Sequence, residues 1–215
     1  MEIIILENVS YYLASLNRFI LTDINFVVNE GDFVTVKGPS GSGKTTLLHI
    51  CGSLLFPTSG TAKIFGLYSS DSTALQIRPK IGYVFQTSIL LEHLTVKENF
   101  SILARWAGID KSQTERDGVE LLTKFDLIDY FNQIPLKMSL GQRQRIALII
   151  PMLLKPRLIL MDEPLGSIDF KLRNLIINQI KIMKEEGTTM VVVTHDLSMD
   201  KMSDVIYNLV DGSLK

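Results

Sequence analysis

Apolar residues fall in short blocks along this chain, and the spacing within the blocks changes twice. Ile3–Leu6, Ile24–Val28 and Phe33–Val36 are β-rich runs, with turn residues Asn29 to Asp32 between the last two. Thr61–Phe65 follows a turn at 57–60, and Ile81–Phe85 is a further apolar β run. From Thr95 the spacing becomes helical. Val96–Ala107 is a helix ended by Gly108, and Thr114–Lys124 is a second, with Leu121, Leu122 and Phe125 apolar. That spacing places Trp106 in the core of the helical section. A third helix is expected from Ser139 toward Leu154, with Pro151 kinking or ending it. Then 157–161 reads as a buried strand ending at Asp162. Asp169–Lys184 is an amphipathic helix and Thr189–Thr194 a strong β run. Asp211-Gly212, between Val205–Val210 and Ser213–Lys215, signals a hairpin. The alternation predicts an α/β fold with a mainly parallel central sheet. The early strands, with no helices between them, predict a small antiparallel sheet. Residues 87 to 154 read as a mostly helical insertion.

The bulk properties narrow the picture little. A chain of 215 residues fits one domain with a subdomain. Its net charge of −1 offers nothing to a polyanion, so nucleic acid is not expected as the main partner. A single cysteine, Cys51, excludes an internal disulfide framework and reads as a small core residue. The first residues, MEIIILENVS, carry no basic region of a targeting signal. The longest apolar stretch, Ile146 to Leu154, is half a membrane span, so the chain is expected to be soluble by itself.

The chemistry concentrates in one octapeptide, GPSGSGKT, at Gly38 to Thr45. It lies between a β run and an apolar helical run. A loop in that position points backbone N–H groups at one spot, and the helix dipole adds positive potential there. Glycines let the backbone wrap an anion without side-chain clashes. Lys44 can reach the β- and γ-phosphates of a nucleotide, and the Thr45 hydroxyl can ligate Mg²⁺. The second anchor is Asp162-Glu163, delivered by an apolar strand to its carboxyl end, where ligands bind in open α/β sheets. Asp162 suits Mg²⁺, and Glu163 suits a general base for a water attacking the γ-phosphate. The third is His195, after a strand ending at the same sheet edge, placed to hydrogen-bond the γ-phosphate. His49 and His93 read as structural.

In their order and spacing, Gly38–Thr45, Gln86, the run 138–142 (Met-Ser-Leu-Gly-Gln), Asp162-Glu163, the run 165–169 and His195 resemble the nucleotide-binding subunit of an ATP-binding cassette (ABC) transporter. The resemblance covers essentially the whole chain. It implies a P-loop NTPase core at about 1–86 and 155–215, with a helical subdomain at about 87–154. It implies ATP and Mg²⁺ as cofactors. Gly38, Pro39, Ser40, Gly41, Ser42, Gly43, Lys44, Thr45 and Thr46 would hold the phosphates. Thr45, Asp162 and Gln86 would hold the metal, and Gln86 would also sense a membrane partner. Glu163 would be the base, assisted by Lys44 and His195. Ser139, Gly141 and Gln142 would form the signature that completes the ATP site of a second subunit, with Asp169 nearby. The partners implied are an integral membrane permease and a second copy or paralogous subunit. The implied location is cytoplasmic, held at the inner face of the membrane by that permease.

The chain departs from the family pattern at three places. Leu140 replaces the first glycine of the signature, which implies activity that is tuned down. The aromatic that stacks on adenine falls at Leu13, so Tyr12 beside it is the candidate. Ile150-Pro151 stands where the family continues its helix with Arg-Ala. Within the family, 80–86 and 94–99 look like the subgroup of lipoprotein release, macrolide-type efflux and antimicrobial-peptide or haem export. A cell-division relative that moves no substrate shares that pattern. A degenerate nucleotide-binding regulatory module is the alternative outside the enzyme class.

Overall fold

A computed structural model describes residues 1–86, 90–166 and 170–215. The chain opens with a long antiparallel hairpin, β1 (Glu2–Leu13) and β2 (Arg18–Asn29). Both strands run well past the apolar blocks that announced them. Ladder hydrogen bonds carry them, because an antiparallel pair needs only one buried face. After β3 (Phe33–Lys37), the segment 38–43 leads into α1 (Lys44–Cys51). α1 is shorter than the apolar run: Gly52 follows it, and Ser53 takes a left-handed φ of 53° that turns the chain. β4 (Ser59–Ile64) and β5 (Leu67–Tyr68) join the hairpin in a four-stranded antiparallel sheet, ordered β2-β1-β4-β5.

Next come α2 (Asp71–Ile77), β6 (Ile81–Val84), α3 (Val96–Trp106), α4 (Lys111–Lys124) and α5 (Leu140–Leu154). β7 (Leu158–Asp162), α6 (Phe170–Glu185), β8 (Thr189–Val193), β9 (Val205–Val210) and β10 (Ser213–Leu214) complete the chain. α2 has a Ser70/Thr73 capping box and no long apolar periodicity, so its sequence carries little helical signal. α4 starts ahead of Thr114 because the Asp110 carboxylate accepts the Gln113 N–H at 2.8 Å.

The central sheet has the order β10-β9-β3-β8-β7-β6, parallel throughout except for β10. Every residue of β7 and β8 is buried, which is why these strands read as unbroken apolar runs. One core lies between this sheet, α1 and the antiparallel sheet, and contains Leu48, Cys51, Val36 and Leu160. A second joins the other face to the helices through Phe100, Leu122, Phe125, Ile146 and Ile159.

α5 runs to Leu154 as expected, and Pro151 does not end it. Proline cannot donate to the Ala147 carbonyl, yet its ring is buried against Gly82. A Cβ on Gly82 would lie 2.8 Å from Pro156 Cγ and 2.9 Å from Pro151 Cβ. Trp106 is 48% exposed instead of core. Phe100 and Ala104 occupy the buried face of α3, and a residue two positions after Ala104 points the other way. Trp106 borders an apolar cleft of about 250 Å³ with Tyr83, Phe85 and Ile150.

Gly82→Ala is therefore expected to destabilise the fold by about 1–3 kcal/mol through overpacking against two rigid rings. Thermal unfolding of Gly82→Ala, Pro156→Ala, which removes the Cγ nearest the added methyl, and the double variant checks this. The two changes should couple, with the double variant less destabilised than the sum.

Candidate functional site

The carboxyl end of the central sheet carries a cavity of about 830 Å³. Segment 38–43 forms one wall because β3 delivers it there and α1 begins beneath it. Gly43 caps α1 with φ of 104°, and a Cβ on it would sit 2.9 Å from the Ile20 carbonyl. A Cβ on Gly38 would reach 2.0 Å from the Leu209 carbonyl. Both positions need glycine for space as well as for backbone freedom. Gly38, Pro39, Ser40, Gly41, Gly43, Lys44, Thr45 and Thr46 line the cavity. The Ser42 hydroxyl is buried without a hydrogen-bond partner among the described residues. Lys44 Nζ donates to the carbonyls of Gly38 and Pro39, each at 2.9 Å. The ammonium is thus held where the loop closes, at the N-terminus of α1.

Opposite the loop, Thr45 Oγ1 donates to Asp162 Oδ2 at 2.8 Å. Asp162 is buried, and burial raises its carboxyl above its ordinary range. The Thr45 hydrogen bond, His49 and Lys44 oppose that rise, and the neighbouring Glu163 adds to it. A desolvated carboxylate beside a hydroxyl, with Gln86 on the same cavity wall, is a set of hard oxygen donors that fits Mg²⁺. His49 packs against Tyr83 and Phe85 behind this point, and burial lowers its basicity. Cys51 is buried in the core, as expected, and burial pushes its thiol pKa up.

Glu163 follows β7 with φ of 47°, a left-handed turn fixed by its N–H bond to the Val193 carbonyl at 2.9 Å. Its Oε2 accepts the Thr194 hydroxyl and its Oε1 lies against His195 Nδ1, both at 3.0 Å. Parallel pairing of β7 with β8 sets Asp162 opposite Val193, and so puts 162–163 beside 194–195. His195 is exposed and lines the cavity. Asp196 anchors the next turn through an ion pair with Arg173 of α6 and through Ser198, whose N–H lies at 2.9 Å. Burial acts to raise the Asp196 carboxyl, but the Ser198 bonds and Arg173 outweigh it and hold it low.

Ser139, Gly141 and Gln142 do not line this cavity. They form the exposed start of α5. The Ser139 N–H donates to Gln142 Oε1 at 2.8 Å, and the Gln142 N–H to Ser139 Oγ at 3.3 Å, a closed capping box. Leu140 is 58% exposed beside them, and a Cβ on Gly141 would meet open space. Tyr12 is not brought into the cavity either. Its ring packs edge-on against Phe19 at 5.2 Å and its hydroxyl bonds Asn17, while Ile20 faces the cavity from the same hairpin. The strand pairing of Tyr12 with Phe19 explains the correction. Asp169 lies outside the described residues. Sequence reasoning missed Ile20, Gln144 and Gly166 in the lining and Thr194 behind Glu163. Thr194 could have been found as the neighbour of His195 at a strand end; Ile20 carries no chemical signal.

A strand–loop–helix phosphate cradle facing a buried Asp, a Glu and a His defines a nucleoside-triphosphate hydrolase of the P-loop class. The ABC transporter family model matches residues 21–166. An ABC transporter ATP-binding protein of Thermotoga maritima is 39% identical, over 95% of this chain and 89% of that protein. The macrolide export ATP-binding/permease protein MacB 2 of Yersinia pestis is 34% identical over 97% of this chain, which matches 32% of that longer protein. The dimeric ATP-binding cassette MJ0796 in a post-hydrolysis state with ADP and Pi superposes with a TM-score of 0.90. It is 32% identical, covering 99% of this chain and 96% of that one. The chain belongs to the ABC transporter family, as an ATP-binding and hydrolysing subunit.

Asp162→Asn is expected to raise the melting temperature of the nucleotide-free protein at pH 7–8. The sign follows from the raised folded pKa. The buried charge destabilises the fold fully above that pKa, and the effect vanishes below the ordinary carboxylate value as both states protonate. Differential scanning calorimetry across pH should show the advantage shrinking as pH falls, while binding of MgATP is lost.

Proposed function

We propose that this chain powers a separate integral membrane permease by binding MgATP between two copies, or between itself and a paralogous subunit. The observation that carries the reading is the meeting of Thr45 with Asp162, and of Glu163 with His195, in the one cavity that Lys44 also lines. In this reading the core spans about 1–86 and 155–215, and the helical part about 87–154. Thr45, Asp162 and Gln86 would hold Mg²⁺, which would supply charge neutralisation for the phosphates. Gly38 to Thr46 orient the triphosphate, and Lys44 leaves its loop carbonyls to bind the β- and γ-oxygens. Water enters beside Glu163. As its oxygen attacks the γ-phosphorus, its proton passes to Glu163, and the bond to the bridging oxygen breaks to leave ADP and phosphate. His195 holds the γ-phosphate, and its bond to Glu163 keeps the base aimed while the site waits.

Ser139, Gly141 and Gln142 then act on the partner subunit's ATP, since they face solvent and lie off their own cavity. Asp169 is assigned to the same interface. The apolar cleft at Tyr83, Phe85 and Trp106 suits an apolar segment of the permease, because Phe85 leads directly into Gln86 at the nucleotide. In this reading the chain sits on the inner face of a membrane through its partner. Among the described residues, no helix is long and apolar enough to cross one. The exporter-like subgroup is supported by the likeness to a protein named for macrolide export that joins ATP-binding and permease parts.

Glu163→Gln should lower ATP turnover by about 10²–10⁴-fold while leaving ATP binding intact. The same variant should run as a dimer on size exclusion with MgATP. A monomer that still binds ATP would move the reading to a regulatory module. Leu140→Gly should raise ATP turnover per subunit, because the leucine side chain stands where the partner's phosphate must approach. A steady-state phosphate-release assay decides, and an unchanged rate sinks the point.

A further inference from the structure

In the reading above, the start of α5 is offered to another subunit, yet Gln144 of the same helix faces the chain's own nucleotide cavity. Gln144 lines the nucleotide cavity with Gln86 and Glu163. It also borders a small void where Phe85, Pro164 and Gly166 converge. Its amide therefore sits at the seam between the segment before Gln86, the turn after Asp162, and α5. Gly141 lies within one turn of it on the same helix, and the N-cap Ser139 about one and a half turns away. That first turn is braced. Gln142 Nε2 donates to the Tyr130 hydroxyl, and Arg143 pairs with Glu92 at 3.0 Å. Glu92 in turn stands in the 91–94 turn, which buried Asn99 holds through the Leu91 N–H at 2.8 Å and the Leu91 and Leu94 carbonyls.

We propose that Gln144 is a contact to the terminal phosphate of the ATP bound in its own chain, and that this contact sets the position of α5 for the partner's ATP. The inference rests on the ABC reading above and adds a residue to it. A glutamine amide donates two hydrogen bonds and carries no charge, so it serves a γ-phosphate without competing with Lys44. ADP ends short of it. The three residues fall within two turns of one helix, which moves as a rigid body, so a bond made at Gln144 is felt at Ser139 and Gly141. Each subunit thus presents its signature correctly only when its own site holds a triphosphate. This adds a coupling between the two sites to the one made by the shared nucleotides.

The test separates ATP from ADP. Dissociation constants for both are measured by fluorescence titration on dilute protein, in Glu163→Gln and in Glu163→Gln carrying Gln144→Met or Gln144→Glu. Gln144→Met should weaken ATP about tenfold to hundredfold, the worth of one hydrogen bond to a charged group, with ADP unchanged. Gln144→Glu sets a negative charge against the γ-phosphate and should lower the ATP-to-ADP preference further. Sedimentation with MgATP should show a weaker dimer for both. Equal ATP and ADP effects, or none, overturn the proposal, since a residue that only supports the fold cannot discriminate the two nucleotides. Gln144→Asn, which keeps the amide on a shorter arm, guards against misfolding: it should fold as the parent and fall between the parent and Gln144→Met. If Glu163→Gln itself stays monomeric with MgATP, the sandwich reading fails instead, whatever the nucleotide ratio.

Discussion

The parallel register of β3, β7 and β8 is the constraint on which the site depends. Three buried strands end at one edge, and each hands over a different chemical group. β3 delivers the phosphate loop, β7 delivers Asp162 and Glu163, and β8 delivers Thr194 and His195. Because the strands are buried on both faces, a register slip would expose or clash a whole row of side chains. The geometry at the edge is thereby held by the core beneath it. The Glu163 turn shows the linkage directly, since its left-handed backbone is tied to the Val193 carbonyl of the next strand.

Much of this was legible along the chain. The blocks from Phe33, Leu158 and Thr189 are continuous apolar runs because burial on both faces removes the polar alternation. Their chemistry follows immediately at the carboxyl ends. What was not legible has physical causes. β1 and β2 outrun their apolar blocks because cross-strand hydrogen bonds do not require apolar side chains. α2 is too short to show a period. Trp106 misled because bulk and aromaticity do not say which face of a helix a residue occupies. Tyr12 lies at a suitable offset along the chain, but strand pairing with Phe19 takes its ring elsewhere.

α5 shows how one element serves two demands. Its first turn is polar, capped and exposed, while its last turns are apolar and buried. Pro151 sits where those demands meet the central sheet, and Gly82 makes the room for its ring. A backbone bond is lost at that point, and close packing takes its place. The departure from an ordinary helix is therefore matched by a neighbour on β6. Neither residue can be understood from its own sequence context alone.

The hydrogen bonds of Lys44 bear on ligand choice. Its ammonium is not left in water but is satisfied by the carbonyls of Gly38 and Pro39. Any anion that recruits it must first break those two bonds. A single inorganic phosphate or sulfate offers one small cluster of acceptors, and gains little from the exchange. A triphosphate chain offers acceptors along its whole length, reaching the loop N–H groups, Thr45 and the far wall together. The loop thus holds the lysine pre-positioned at the mouth of α1, and the ligand that draws it away most readily is one with acceptors along its length.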